Sequence, residues 1–113
     1  MYELQFLPGA ERYFKKVKEK GLKAAFRKAL ETIQNDPYAG EAKVGDLAGV
    51  YGFDVFYNRT NYEIAYRIYE DNGQLVVVIL AGTRENFYQE LKRYMKLVAQ
   101  FSRRPHGRRL FCV

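Results

Sequence analysis

The spacing of hydrophobic positions along the chain changes period several times, and each change marks an element. Tyr2, Leu4 and Phe6 alternate with polar neighbours, which predicts a short strand over residues 2–7. Pro8 suits the first turn of a helix, where its missing N–H would have no intrahelical partner anyway. Ala10, Tyr13, Phe14 and Val17 fall at i, i+3, i+4 and i+7, so the spacing predicts an amphipathic helix over 9–20 with Gly21 as its stop. Leu22, Ala25, Phe26, Ala29, Leu30 and Ile33 repeat the stripe in a second helix, which Asn35-Asp36-Pro37 ends.

Beyond a glycine-rich loop over 37–49 the period falls to two. A strand is predicted from Val50 to Tyr57, followed by a turn at Asn58-Arg59-Thr60-Asn61. In the next strand Tyr62, Ile64, Tyr66 and Ile68 form one apolar face, with Glu63, Ala65, Arg67 and Tyr69 between them. Asn72-Gly73 signals a hairpin, and Leu75 to Ala81 is apolar on both faces, as in a strand covered on both sides. Thr83 then caps a last helix whose inward stripe is Phe87, Leu91, Tyr94, Met95 and Val98. The predicted class is α+β, in the order β-α-α-β-β-β-α. It implies a mainly antiparallel four-stranded sheet with the helical hairpin on one face and a C-terminal helix.

Length and composition narrow the picture. The 113 residues suit one domain, here 1–101, with a basic tail over 102–113 that has no periodicity. The single cysteine, Cys112, can form neither an internal disulfide nor a metal cage, so no metal or cofactor is expected and a reducing cytoplasm fits. The longest apolar run, Leu75 to Ala81, is too short to cross a bilayer, so no membrane partner is expected.

The net charge of +6 is unevenly placed. Residues 103–109 carry +4, residues 12–28 carry +7, and residues 31–71 carry −5. The cations of the hairpin (among them Arg12, Lys15, Lys16, Lys23 and Arg27) suit either a polyanionic partner or a solvated helical face.

The order and the local motifs together resemble the RelE/ParE superfamily of toxins from type II toxin–antitoxin systems, over roughly residues 2–96. The resemblance rests on the lysine-rich hairpin closed by Asp36-Pro37 and on Gly45-Asp46-Leu47-Ala48-Gly49-Val50-Tyr51, similar to a Leu-x-Gly-x-Tyr/Trp loop. It rests also on Tyr62-Glu63-Ile64-Ala65-Tyr66, similar to a Tyr-Arg-hydrophobic-hydrophobic-Tyr strand, and on Gly82-Thr83-Arg84 with Tyr88, similar to Gly-x-Arg-x-x-x-Tyr. It implies an antitoxin as cognate partner, in an assembly that can be a heterotetramer. It also implies one of three roles: a ribosome-dependent mRNA endonuclease, a gyrase-directed inhibitor without enzymatic activity, or a silent antitoxin-binding member.

Cleavage of RNA through its 2′-hydroxyl needs a proton acceptor, stabilisation of charge on the phosphate, and a donor to the departing oxygen. The one histidine, His106, stands in the tail, so Glu, Asp, Lys or Tyr must do the acid–base work. The resemblance points to Glu41 as a general base, the alternative being a solvated loop carboxylate. It points to Arg84 and Tyr88, read as i and i+4 on the last helix, for phosphate stabilisation and base stacking. Glu63 stands where the family carries a strand arginine. Arg67, on the same strand face, either takes over that charge or pairs with Glu63. Gly52 and Asp54 likewise replace basic residues. Lys43, Lys92, Arg93 and Lys96 are the remaining expected RNA and phosphate contacts.

Overall fold

The computed structural model describes residues 1–71 and 73–102, and of residues 98–102 the backbone only. The elements are β1 (Glu3–Phe6), α1 (Pro8–Lys16), α2 (Lys20–Asn35), β2 (Glu41–Ala42), β3 (Tyr51–Tyr57), β4 (Thr60–Tyr69), β5 (Leu75–Thr83) and α3 (Phe87–Ser102). The α+β class is as expected. The tail with its arginines, His106 and Cys112, the residue Asn72 and the side chain of Val98 lie outside the described residues.

The sheet has five strands rather than four, in the order β1-β5-β4-β3-β2. The extra strand is Glu41–Ala42, which pairs antiparallel with Gly52 and Tyr51. Two residues inside a glycine-rich loop carry no readable alternation, so only the partner strand reveals them. β1 lies parallel to β5, and the other pairs are antiparallel.

Helices cover both faces. Ala10 and Val17, with Phe26, Ala29 and Ile33 of α2, pack on Val55, Ile64, Tyr66, Val76 and Val78. On the opposite face Phe87 and Leu91 of α3 pack on Ala65, Val77 and Ile79, joined by Leu7, Leu47 and Val50. β4 is therefore central and buried on both sides over residues 63–66, not a strand with one apolar face. An irregularity in its register with β5 at Ala65/Tyr66 leaves Ile79 without a partner across the ladder.

Two helix boundaries also differ from the sequence pattern. α1 stops at Lys16, and Gly21 lies in the first turn of α2 instead of ending α1. A Cβ at Gly21 would stand 2.1 Å from the Tyr57 hydroxyl, which donates to Glu19 at 2.8 Å. Gly21 thus serves close approach of β3 rather than helix termination. At the other end β5 continues through Thr83, so Thr83 caps nothing and α3 begins at Phe87. The Arg84 amide donates to the Asn61 carbonyl at 2.9 Å and prolongs the sheet, and Asn86 (φ 60°) turns the chain into the helix. Arg84 is therefore a residue of the sheet end, not of the first helical turn.

Candidate functional site

The candidate site lies on the α3 side of the sheet, where β2, β3, β4 and the start of α3 meet. Its floor is Glu63 of β4, whose side chain is 1% exposed. Burying a carboxylate demands a compensating charge, and Lys43 meets that demand. Its Nζ stands 3.1 Å from Glu63 Oε2, 3.3 Å from Glu41 Oε1 and 2.6 Å from the Tyr88 hydroxyl. The Tyr88 hydroxyl in turn donates to Glu63 Oε2 at 3.4 Å. Lys43 also lies over the Tyr88 ring, 4.8 Å from its centroid.

Local structure explains how these groups come together. The hydroxyl of buried Tyr66 donates to the Pro37 carbonyl, which fixes the turn after α2 and so the start of β2. The Lys43 amide donates to the Val50 carbonyl at 2.8 Å, so β2 carries the lysine over β3. The residue beneath it is Gly52, where a Cβ would stand 2.1 Å from Glu63 Oε2 and 2.8 Å from Lys43 Cε. Only glycine leaves room there for the ion pair to form across β3.

The other Glu63 oxygen, Oε1, is buried and accepts no hydrogen bond among the described residues; its charge partner is Arg84 Nε at 4.0 Å. Arg84 Nη1 also reaches Asp54 at 3.4 Å, in a pair about half exposed on both sides. Burial acts against the charge on Lys43, but the Tyr88 hydroxyl and the Glu63 carboxylate more than offset it. The ammonium is held above its ordinary range, fully charged near neutrality. Asp54, and after it Glu63, likewise raise Arg84. The site thus holds two fixed cations, a phenol beside them, one buried carboxylate, and two exposed carboxylates in contacts that water screens.

Of the residues expected from the sequence, Glu41, Lys43, Arg84 and Tyr88 come together here. Arg84 and Tyr88 both face Glu63 and also interact with each other, although Arg84 lies before the helix. Arg67 does not join them. It forms no ion pair with Glu63, and its Nη1 lies beside Gly49, 3.0 Å from where a Cβ would stand. Lys92 pairs with Asp46 at 3.7 Å on the surface, and Arg93 and Lys96 are exposed on α3. The hairpin cations lie on the opposite face of the sheet from this site. The pattern underrated Glu63. Its signal was a charged residue in a strand flanked by Ile64, Ala65 and Tyr66, a place where an acid persists only if something neutralises it.

Comparison with known proteins agrees with this architecture. The sequence model of the family described as ParE-like toxin of type II bacterial toxin–antitoxin system matches residues 4–92. A small α+β toxin is thus the class that fold and sequence define together. The chain belongs to the ParE-like toxins of type II toxin–antitoxin systems.

Solved structures with this fold include the toxin–antitoxin complex RelBE2 from Mycobacterium tuberculosis. That match has 27% identity and a TM-score of 0.56, covering 74% of this chain and 98% of that one. The intact E. coli RelBE toxin–antitoxin complex matches at 20% identity and a TM-score of 0.59, covering 73% and 95%. A double-arginine mutant of the E. coli toxin RelE in the free state matches at 20% identity and a TM-score of 0.63, covering 88% and 96%. No curated protein sequence matches the chain. Among the described residues no helix is long and apolar enough to cross a membrane.

Proposed function

We propose that this toxin cleaves messenger RNA on the ribosome: Lys43 and Arg84 hold the scissile phosphate, and Glu41 accepts the 2′-hydroxyl proton. The 2′-oxygen bonds to phosphorus, and the bond to the 5′-oxygen breaks as that oxygen takes a proton from water. The observation that carries the reading is that both cations hold exposed carboxylates in contacts an incoming phosphate can displace. The three N–H donors of Lys43 go to Glu63, Tyr88 and Glu41, and Glu41 is the exposed one, at 73%. Arg84 gives its outer contact to Asp54, itself 57% exposed. Pairs of this kind contribute little. A phosphate exchanged for them frees one Lys43 donor and one Arg84 edge, and leaves Glu41 unpaired beside the 2′-oxygen. Buried Glu63 and the Tyr88 hydroxyl hold the lysine in place throughout. The ribosome contributes the alignment of the RNA strand. Arg67, Lys92, Arg93 and Lys96 stand outside this cluster and serve as contacts to surrounding phosphates, which set affinity rather than sequence choice.

The cognate antitoxin belongs to the same reading. The hairpin face opposite the site has apolar depressions of about 300 and 240 Å³ that share Phe14 and Leu30 and are rimmed by Lys15, Lys23 and Arg27, with Glu11 beside Lys15 as the acid among them. An acidic amphipathic segment fits that face in both charge and apolarity.

The charge balance favours a second reading, in which the toxin inhibits DNA gyrase by binding it. Lys43 and Arg84 face three carboxylates, Glu41, Asp54 and Glu63, which a polyanion would not choose unaided. The deciding experiment adds purified toxin to ribosomes programmed with a defined message. Cleavage at the A-site codon, lost in Arg84→Ala, supports the nuclease. An intact message together with blocked gyrase supercoiling supports the inhibitor.

A further inference from the structure

The site has an aromatic neighbour with no role in the cluster. On β3 the residues facing α3 are Gly52, Asp54 and Phe56, since Val55 packs on the other face, and Val50 just before the strand packs on the α3 side. Phe56 is 68% exposed, a large apolar ring left in water at the end of the row that holds Gly52 and Asp54. It pairs across the ladder with Asn61, whose carbonyl accepts from the Arg84 amide, so Phe56, Asn61 and Arg84 form one row of the sheet. The Arg84 side chain reaches back to Asp54 at 3.4 Å, one step along the face from Phe56. Two residues on one strand face stand about 7 Å apart.

The other aromatic rings at the site are engaged. Phe87 is fully buried. Tyr88 carries the Lys43 ammonium over its ring, its hydroxyl is bound on both sides, and the Phe87 ring meets it edge-on at 6.1 Å. Among the described residues the Phe56 ring stacks on no other ring. It is therefore, among those residues, the aromatic beside Arg84 and Asp54 whose ring faces water.

We propose that Phe56 is a base-stacking platform of the site, on which the nucleobase next to the phosphate held by Arg84 and Lys43 lies flat. This rests on the nuclease reading. A π-face accepts any base, so Phe56 supports binding without setting sequence choice. Exposed phenylalanine is otherwise unfavourable in water, and a stacked base removes that exposure.

The test uses the full chain and ribosomes programmed with a message whose A-site codon carries 2-aminopurine and 2′-O-methyl groups, so that it binds without being cut. The wild type is expected to quench the 2-aminopurine. Phe56→Leu, which keeps the bulk but lacks a π-face, is expected to abolish the quench and weaken binding about tenfold. Phe56→Trp should retain both. Because the residue is exposed, all variants should melt as the wild type does.

If Arg84→Ala weakens binding but Phe56→Leu leaves quench and affinity as in the wild type, stacking is overturned and the nuclease reading stands. If the wild type neither quenches nor binds the programmed ribosome, that reading fails and takes this proposal with it. If Phe56→Leu leaves message binding intact and instead relieves inhibition of gyrase, Phe56 is a protein contact and the proposal is wrong.

Discussion

The Lys43 ammonium and the Glu63 carboxylate, 3.1 Å apart and nearly closed to solvent, form a single unit in which neither charge is tolerable alone. The lysine directly follows a two-residue edge strand and the glutamate comes from the centre of the sheet. Their pairing therefore ties the loop after α2 to the core.

Removing one partner should be worse than removing both. Lys43→Met leaves an uncompensated buried carboxylate and should lower stability by about 3 kcal/mol. The double variant Lys43→Met/Glu63→Leu should recover most of that loss. Urea unfolding of the two single variants and the double variant measures the coupling. Purely additive effects would mean the pair contributes nothing as a pair.

Gly52 should tolerate no side chain. Gly52→Ala puts a methyl 2.1 Å from Glu63 Oε2 and 2.8 Å from Lys43 Cε, so the pair must separate. A loss of about 2 kcal/mol is expected, typical of overpacking, and toxicity on induction should fall with it. Thermal melting and a growth assay read the two effects, and an unchanged melting temperature would contradict the packing at this position.

Within the nuclease reading the exposed groups should affect rate. Glu41→Gln should slow cleavage by about 100-fold, the usual contribution of a general base. Arg84→Ala should slow it by a similar or larger factor through lost charge stabilisation. Glu41→Gln should unfold at the wild-type urea midpoint, because its side chain is 73% exposed, whereas Arg84→Ala should unfold at lower urea, because it removes the charge partner of buried Glu63 Oε1. Unchanged cleavage in either would remove that residue from the mechanism.

Glu70 at the end of β4 makes stability depend on pH from both sides. It accepts hydrogen bonds from the Tyr2 and Tyr38 hydroxyls, which hold its carboxyl below the ordinary 4.5. A lowered carboxyl gives stability that is present above its unfolded value and lost as pH falls through the folded one. The same bond to Glu70, with some burial, pushes Tyr2 from 10 up to about 12. A raised phenol gives stability that is present below pH 10 and lost as pH rises toward 12. Tyr2→Phe should flatten both limbs of a plot of melting temperature against pH. Identical profiles for variant and wild type would rule the contact out.

Periodicity was enough for the order of the main elements, because an amphipathic helix and an alternating strand each carry their burial in local spacing. It placed the stripes of α1 and α2, the β3–β4 hairpin and the double-sided apolarity of β5. Family resemblance, not spacing, pointed to Glu41, Arg84 and Tyr88, and Lys43 was expected only as a phosphate contact. What neither could reach depends on contacts between residues far apart in the chain. Glu41–Ala42 becomes a strand only through Gly52 and Tyr51. Gly21 reads as a helix stop until Tyr57 is seen against it. Arg84 and Tyr88 converge on a buried carboxylate from the end of β5 and the start of α3 rather than from one helix. Glu63, met in the chain as a departure from the expected arginine, becomes the centre of the site only when the lysine that follows β2 arrives to neutralise it. Local spacing encodes which face a residue shows, whereas the partner of a buried charge is set by tertiary packing.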